Sequence, residues 1–300
     1  MLDELMGFTA DEQDEGRTLR DVLQQRYGVS RRLLIRAKYG GEIRLNGTAA
    51  YVTTRLRTGD EIVVLLPEES AEQITPQPMP LQIRHEDDDL LVLAKPAGLV
   101  VHPTRTHSDG TLANGVIAYY LQKGESRKFR PVNRLDKDTS GLMIVAKNQW
   151  AHECFSRMQK ERSLRRVYQA IVHGEVVQDS GMVEAPIGLR DDSIIQRMVR
   201  PDGQPALTEY RVLARGQGMS WLELTLGTGR THQIRVHMSH LGHPLLGDDL
   251  YGGSRELIGR QALHAARLSF VHPRSGEAIS LSEPLPGDMQ TLLDTYFPRV

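Results

Sequence analysis

Apolar positions along the chain change period several times, and each change marks an element. Residues 17–27 read as a short helix. Ser30 is placed to cap a second helix reaching Lys38, with Leu33, Leu34 and Ala37 on one face. Gly40-Gly41 stops that helix. Residues 42–46 alternate as a strand does, Asn46-Gly47 makes a tight turn, and Gly59-Asp60 precedes a strand over 61–66. Residues 68–80 lose all periodicity and place Pro76, Pro78 and Pro80 among Glu, Gln and Ser, which reads as a linker. Beyond it the pattern predicts strands at 90–94, 142–146, 168–172, 221–226 and 263–270, with 99–101 extended. Helices are predicted at 111–121, 149–161, 231–241 and 288–296. No regular strand–helix repeat runs through them. The expected fold class is therefore α+β: a mixed, largely antiparallel sheet in a domain at 81–300. A small α/β module at 17–67 precedes it, and residues 1–16 read as an acidic N-terminal tail.

Charge sharpens this division. The whole chain sums to −1, but residues 17–60 hold ten Lys/Arg against three Asp/Glu, a balance of +7 that leaves −8 elsewhere. A basic module on an acidic body suits a polyanionic partner, with Arg31, Arg32, Arg36 and Lys38 the candidate contacts. The single cysteine, Cys154, allows no internal disulfide or zinc knuckle. No leader pattern opens the chain, and the longest apolar run, 90–101, is broken by Lys95 and Pro96. A soluble cytoplasmic protein without membrane contact is the expectation.

The chemistry concentrates in Arg134-Leu-Asp-Lys-Asp-Thr-Ser-Gly-Leu. A carboxylate, Asp136, stands two residues from an arginine at the mouth of a buried strand, where it is kept ionised and held still. Asp-Thr-Ser-Gly is equally a turn composition. Arg230, between a strand and a helix, is placed to reach a carboxylate in two-pronged geometry. The basic run Arg157, Lys160, Arg162, Arg165, Arg166 leads into Tyr168, cations followed by an aromatic face, which suits an unstacked base. Other chemistries lack their signatures. No Gly-Lys pair exists for a phosphate loop, Gly227 and Gly229 lack the third glycine of a dinucleotide fingerprint, and no Gly-x-Ser-x-Gly is present. His232, His237, His240 and His243 crowd one helix and its end, but without the His-Glu-x-x-His pattern of a zinc site.

Taken in order, Lys95-Pro-Ala-Gly98 with Val101-His-Pro103, the Arg134 motif, Arg166-x-Tyr168-x-Ala170, Gly229-Arg-Thr-His-Gln-Ile-Arg-Val-His237 and Leu263-His-Ala265 with Phe270-Val-His-Pro273 resemble the motifs of the RluA family of pseudouridine synthases. The basic module resembles the S-four-type RNA-binding unit often fused to that family. Asn133 stands where many members carry His. The resemblance implies isomerisation of uridine to pseudouridine in RNA, without cofactor or metal. It assigns Asp136 as the catalytic carboxylate, Arg230 as its partner and Tyr168 as the stacking residue. Arg134, Arg165 and Arg166 then join the module's cations on RNA. Large-subunit ribosomal RNA is the favoured substrate, transfer RNA stays open, and a monomer is expected. Two rival readings are a non-catalytic RNA-binding protein and a metal-dependent hydrolase built on the histidines from His232 to His243.

Overall fold

The computed structural model describes residues 2–68, 74–104 and 108–297. At the N-terminus β1 (Leu2–Thr9), β2 (Glu42–Leu45), β3 (Thr48–Ala49) and β4 (Glu61–Pro67) form an antiparallel sheet in the order β1-β4-β2-β3. Against it pack α1 (Leu19–Asp21), a π-helical turn over Val22–Arg26, and α2 (Arg31–Tyr39). The Ser30 hydroxyl accepts the Leu33 N–H at 3.1 Å, the cap expected from sequence. Asn46 and Gly47 both take positive φ, 51° and 80°, as the two-residue turn between β2 and β3 requires.

The acidic tail is a correction. Leu2–Thr9 is a strand, paired antiparallel with β4 from Leu2↔Pro67 to Thr9↔Glu61, and it buries Leu5 and Met6. A bulge between Glu4 and Met6 breaks the alternation that would have revealed it. The folded unit therefore spans 2–67, where ten Lys/Arg meet ten Asp/Glu, so the excess of +7 vanishes. Arg26 pairs with Asp11 and Asp14, Arg17 with Asp14, and Arg44 with Glu42. The remaining cations concentrate on α2.

The body contains β5 (Ile83–Glu86), β6 (Leu90–Lys95), α3 (Leu112–Gln122), β7 (Arg130–Pro131), β8 (Ser140–Ala146), α4 (Gln149–Lys160) and β9 (Arg165–His173). It continues through β10 (Ser180–Glu184), β11 (Ile187–Leu189), β12 (Arg197–Val199), β13 (Leu207–Gly216) and β14 (Met219–Leu226). It closes with α5 (Gln233–His240), β15 (Leu263–Val271), β16 (Ala278–Ser282) and α6 (Gly287–Tyr296). The main sheet runs β10-β13-β14-β9-β15-β8-β6-β5, with β16 on β15 and β7 on β8. Among the described residues only β15 and β8 pair in parallel, so the expected α+β class holds. One face carries α3 and α5 through Leu112, Val116, Tyr120, Ile234 and Met238. Phe155 of α4 packs with Leu268 and Phe270, and Met289, Leu292 and Leu293 of α6 with Ile171. Residues 99–101 form no strand. The carbonyls of Val100 and Val101 instead accept N–H groups of Leu112 and Ala113 at the start of α3.

The linker also differs from expectation. Residues 69–73 lie outside the described residues, but the rest is docked. Thr75 and Gln77 exchange hydrogen bonds with Asn114, and Met79 lies over Gly115. The two units also pack on one another. Trp150 of α4 is fully buried among module residues and donates its indole N–H to the Tyr27 carbonyl at 2.7 Å. Arg36 donates to Gln149 at 2.7 Å and Arg274 to the Leu5 carbonyl at 2.9 Å.

Candidate active site

Strand register explains why distant motifs converge. Lys95, Gly141, Ala265, Tyr168, Leu224 and Tyr210 form one cross-strand row through β6, β8, β15, β9, β14 and β13. Gly141 has φ +111°, and a Cβ there would stand 2.2 Å from the Ala265 carbonyl oxygen. Only glycine lets β15 lie this close at the point where β8 begins.

The Asp136 loop enters β8 and is tied down along its length. Thr139 N–H closes a turn on the Asp136 carbonyl at 3.1 Å. Arg260 donates to the Asp138 carbonyl at 3.0 Å while its fork grips Asp288. Beneath the loop the Lys95 ammonium, 2 % exposed, donates to the carbonyls of Pro96, Leu99 and Lys137 at 2.8, 2.9 and 2.8 Å. Burial pulls its pKa down to about 7, while Asp138 and Asp136 pull it up. Three carbonyl acceptors need all three ammonium hydrogens, so the charged form fits this cradle.

Asp136 itself is one end of a buried ion chain. The Arg235 guanidinium donates to Asp136 Oδ2 at 3.0 Å. Its other edge forks onto Asp248 at 2.7 and 2.8 Å. Burial alone would lower the Arg235 pKa. The Asp248 bonds and the charge of both carboxylates reverse this and raise it. One arginine thus stays ionised between two aspartates and fixes the rotamer of Asp136.

Asp136 Oδ1 accepts no hydrogen bond among the described residues. His232 Nε2 lies 3.9 Å from it. Tyr251 accepts the Arg197 N–H at 2.9 Å, and its hydroxyl lies 2.8 Å from His232 Nδ1. This contact orients the ring, with Nε2 on the side of Asp136. Burial pushes the His232 pKa below its ordinary value, against the pull of Asp136. His232 holds this place with a left-handed backbone, φ 58°, immediately before α5.

An open cleft is lined by Asp136, Arg134, Tyr168, Leu226, Arg230, His232, Arg235 and Leu263. Tyr168 is 5 % exposed. Burial raises its pKa and Asp136 adds to this, while Arg166 and the neighbouring Asn133 side chain pull the other way. Asn133 accepts the Ile144 N–H at 2.9 Å and so clamps the loop to β8, while its buried Nδ2 finds no partner among the described residues.

The sequence brought the right segments together but chose the wrong arginine. Arg230 reaches the cleft, yet its Nε donates to the Pro205 carbonyl at 3.0 Å and its backbone N–H to Gln233. The carboxylate partner is Arg235, five residues on and one turn into α5. Spacing could not separate the two, because the choice depends on which way the left-handed turn at His232 aims the helix. Asp248 carried no local signal. Arg134 and Arg165 are exposed, Arg134 on the cleft. Arg166 is 6 % exposed and donates to the Thr228 carbonyl at 3.3 Å, so it is a buried prop rather than a surface hook. Arg31, Arg32 and Lys38 are exposed on α2, whereas Arg36 is spent on Gln149.

The histidine cluster does not assemble as a metal centre. His237 bonds Thr208 and the Ala185 carbonyl, and His243 the His173 carbonyl. The compact group Asp87, Asp89 and His272 is no better, since the Arg274 fork occupies Asp89.

Comparison with known proteins agrees with this geometry. The family model described as RNA pseudouridylate synthase matches residues 89–240. The chain is 47 % identical over 268 residues to a Bacillus subtilis protein named Uncharacterized RNA pseudouridine synthase YjbO, covering 89 % of this chain and 95 % of that one. It is 41 % identical over 268 residues to the Ribosomal large subunit pseudouridine synthase D of Neisseria meningitidis serogroup B, covering 84 % and 71 %. Among solved structures, Human RNA Pseudouridylate Synthase Domain Containing 1 superposes with a TM-score of 0.60 at 29 % identity, over 73 % of this chain and 89 % of that one.

Proposed function

This chain belongs to the RNA pseudouridylate synthase family, and we propose that Asp136 is its catalytic carboxylate, acting on uridine in large-subunit ribosomal RNA. The chain is an RNA pseudouridine synthase, an isomerase. The reaction breaks the bond from uracil N1 to the ribose and joins the ribose to C5 of the same base. It needs one carboxylate, ionised and aimed, beside an extruded nucleotide. The observation that carries the assignment is the Asp136–Arg235–Asp248 chain, which holds Oδ2 and leaves Oδ1 toward the cleft. Tyr168, which lines the cleft, offers its ring to the extruded uracil. His232 Nε2 stands 3.9 Å from the carboxylate, on a ring that burial biases toward its neutral form. Arg134 and Arg230 at the cleft mouth take RNA phosphate.

The N-terminal unit acts as an S-four-type RNA-binding module, with Arg31, Arg32 and Lys38 on the backbone. Ribosomal RNA is favoured because the relative from Neisseria carries that name. A monomer working in the cytoplasm completes the reading. Pseudouridine mapping in ribosomal and transfer RNA, from cells with and without this protein, tests it. Loss of at least one site in large-subunit RNA is expected, restored by the wild-type chain and not by Asp136→Asn. An unchanged ribosomal map would refute the substrate assignment.

A further inference from the structure

One short turn supplies two of the groups around Arg235. Residues Asp249–Tyr251 form a 3-10 turn that opens at Asp248, the carboxylate that takes the Arg235 fork. Three residues on from Asp248, the Tyr251 ring lies against the face of the same guanidinium, with Cζ 4.9 Å from the ring centre. A two-pronged pair fixes a guanidinium within its own plane but leaves it free to tilt about the line through the two bonds. The ring closes off that tilt on one face. It thereby sets the direction in which Nη1 reaches Asp136.

Tyr251 meets His232 as well. Its hydroxyl oxygen lies 2.8 Å from His232 Nδ1, and the two rings meet edge to face with centroids 5.7 Å apart. The His232 side chain makes no capping bond to α5, so the tyrosine hydroxyl sets where that ring points. Tyr251 is in turn held from three sides. It is 8 % exposed and packs among Ile187, Ala206 and Val236. Its hydroxyl accepts the Arg197 N–H of β12 at 2.9 Å, its carbonyl accepts Ser239 Oγ of α5 at 2.8 Å, and its N–H bonds the Asp248 carbonyl at 3.1 Å. Packing alone would be met by phenylalanine. The hydroxyl is what reaches both β12 and His232.

Resting on the reading of Asp136 above, we propose that Tyr251 is a positioning residue for this carboxylate: its ring sets the tilt of Arg235, and its hydroxyl sets the aim of His232. Tyr251 stands outside the cleft lining and touches none of the reacting atoms. Its loss disorders the carboxylate and leaves the grip on RNA intact, so the effect falls on kcat and not on KM.

The test measures tritium release from RNA labelled at uracil C5 for wild type, Tyr251→Phe, Tyr251→Leu, His232→Gln and the double variant Tyr251→Phe/His232→Gln. Tyr251→Phe keeps the ring against Arg235 and removes the hydroxyl. Its kcat should fall about fivefold or more, with KM within about twofold of wild type. Tyr251→Leu removes ring and hydroxyl together and should lower kcat about thirtyfold or more. The double variant should be no slower than His232→Gln, because the hydroxyl acts through that ring. Nitrogen NMR of isotope-labelled protein gives a readout apart from turnover. The His232 ring signals should shift in Tyr251→Phe, while the Arg235 Nε–H signal shifts only in Tyr251→Leu. Should Tyr251→Leu not fold, the phenylalanine variant and its cycle with His232→Gln decide alone. Full kcat in Tyr251→Phe, a rise in KM in place of a fall in kcat, multiplying losses in the double variant, or unshifted His232 signals would each overturn the positioning role. Wild type that releases no tritium would count against the functional reading alone, since the nitrogen signals still decide whether Tyr251 orients the two groups.

Discussion

Arginine serves opposite ends in two regions of this molecule. In the cleft Arg235 is buried between Asp136 and Asp248, and its pKa is raised by them. On α2 Arg31, Arg32 and Lys38 stand in solvent with no ion pair among the described residues. The buried cation fixes a geometry, and its loss strands a charge in low dielectric. The exposed ones fix nothing, and their attraction for a polyanion is diluted by salt. One residue type therefore supplies catalytic order in one place and adjustable affinity in the other, and substitutions should separate the two.

The largest effect is expected at Arg235. Arg235→Met leaves Asp248 buried and unpaired and frees Asp136. Stability should drop on the order of 3–5 kcal/mol, read by denaturant unfolding. Turnover should fall about a hundredfold or more even where the protein stays folded, because the carboxylate loses its aim. Arg235→Lys should recover part of the stability and little of the rate, since an ammonium cannot bridge both carboxylates. Full activity in either variant would show that the ion chain is only structural.

Next in size is the junction between the two regions. Trp150→Ala removes an indole buried among Leu23, Leu34 and their neighbours, at a cost of about 3–5 kcal/mol. Wild type should melt in one transition, and the variant in two as the module undocks. Turnover on a short RNA should stay within a few fold, because Trp150 lies outside the cleft. A single unshifted transition would contradict the shared core.

The triple variant Arg31→Gln/Arg32→Gln/Lys38→Gln should leave the melting temperature unchanged and weaken RNA binding. The slope of log K against log salt should flatten by about 2. An identical slope would take α2 off the RNA.

Smallest is a pH effect at His232. Its folded pKa lies below its unfolded value, so the stability it contributes is fully present above about 6.5 and is lost as pH falls below that. The melting-temperature difference between wild type and His232→Gln should therefore be more favourable to wild type at pH 8 than at pH 5. The reverse order would mean that the ring is charged beside Asp136.

Local signals carried most of the fold. The Ser30 cap, the Asn46-Gly47 turn and the apolar run of β8 depend on neighbours a few residues away, and all three formed where the sequence put them. Long-range pairings were not legible. Asp136 and Arg235 are 99 residues apart, and Trp150 and Tyr27 are 123 apart. Nothing in the spacing of Arg230 and Arg235 tells which one faces the carboxylate. β1 was hidden by its bulge and its acids, β13 by a run that alternates only in part, and the module's neutrality by counting from the wrong end. Asp136 stood out because loop and strand chemistry coincide at one point. Asp248 did not, because its role exists only through Arg235.

The most direct test of the central claim replaces one oxygen. Asp136→Asn keeps the size of the side chain and removes the carboxylate. Tritium release from RNA labelled at uracil C5, measured beside RNA affinity for the same preparations, separates chemistry from binding. Release should vanish with affinity within about threefold of wild type, because the carboxylate exchanges bonds and the arginines hold the backbone. Release that continues at a measurable fraction of the wild-type rate would show that Asp136 is not the catalyst.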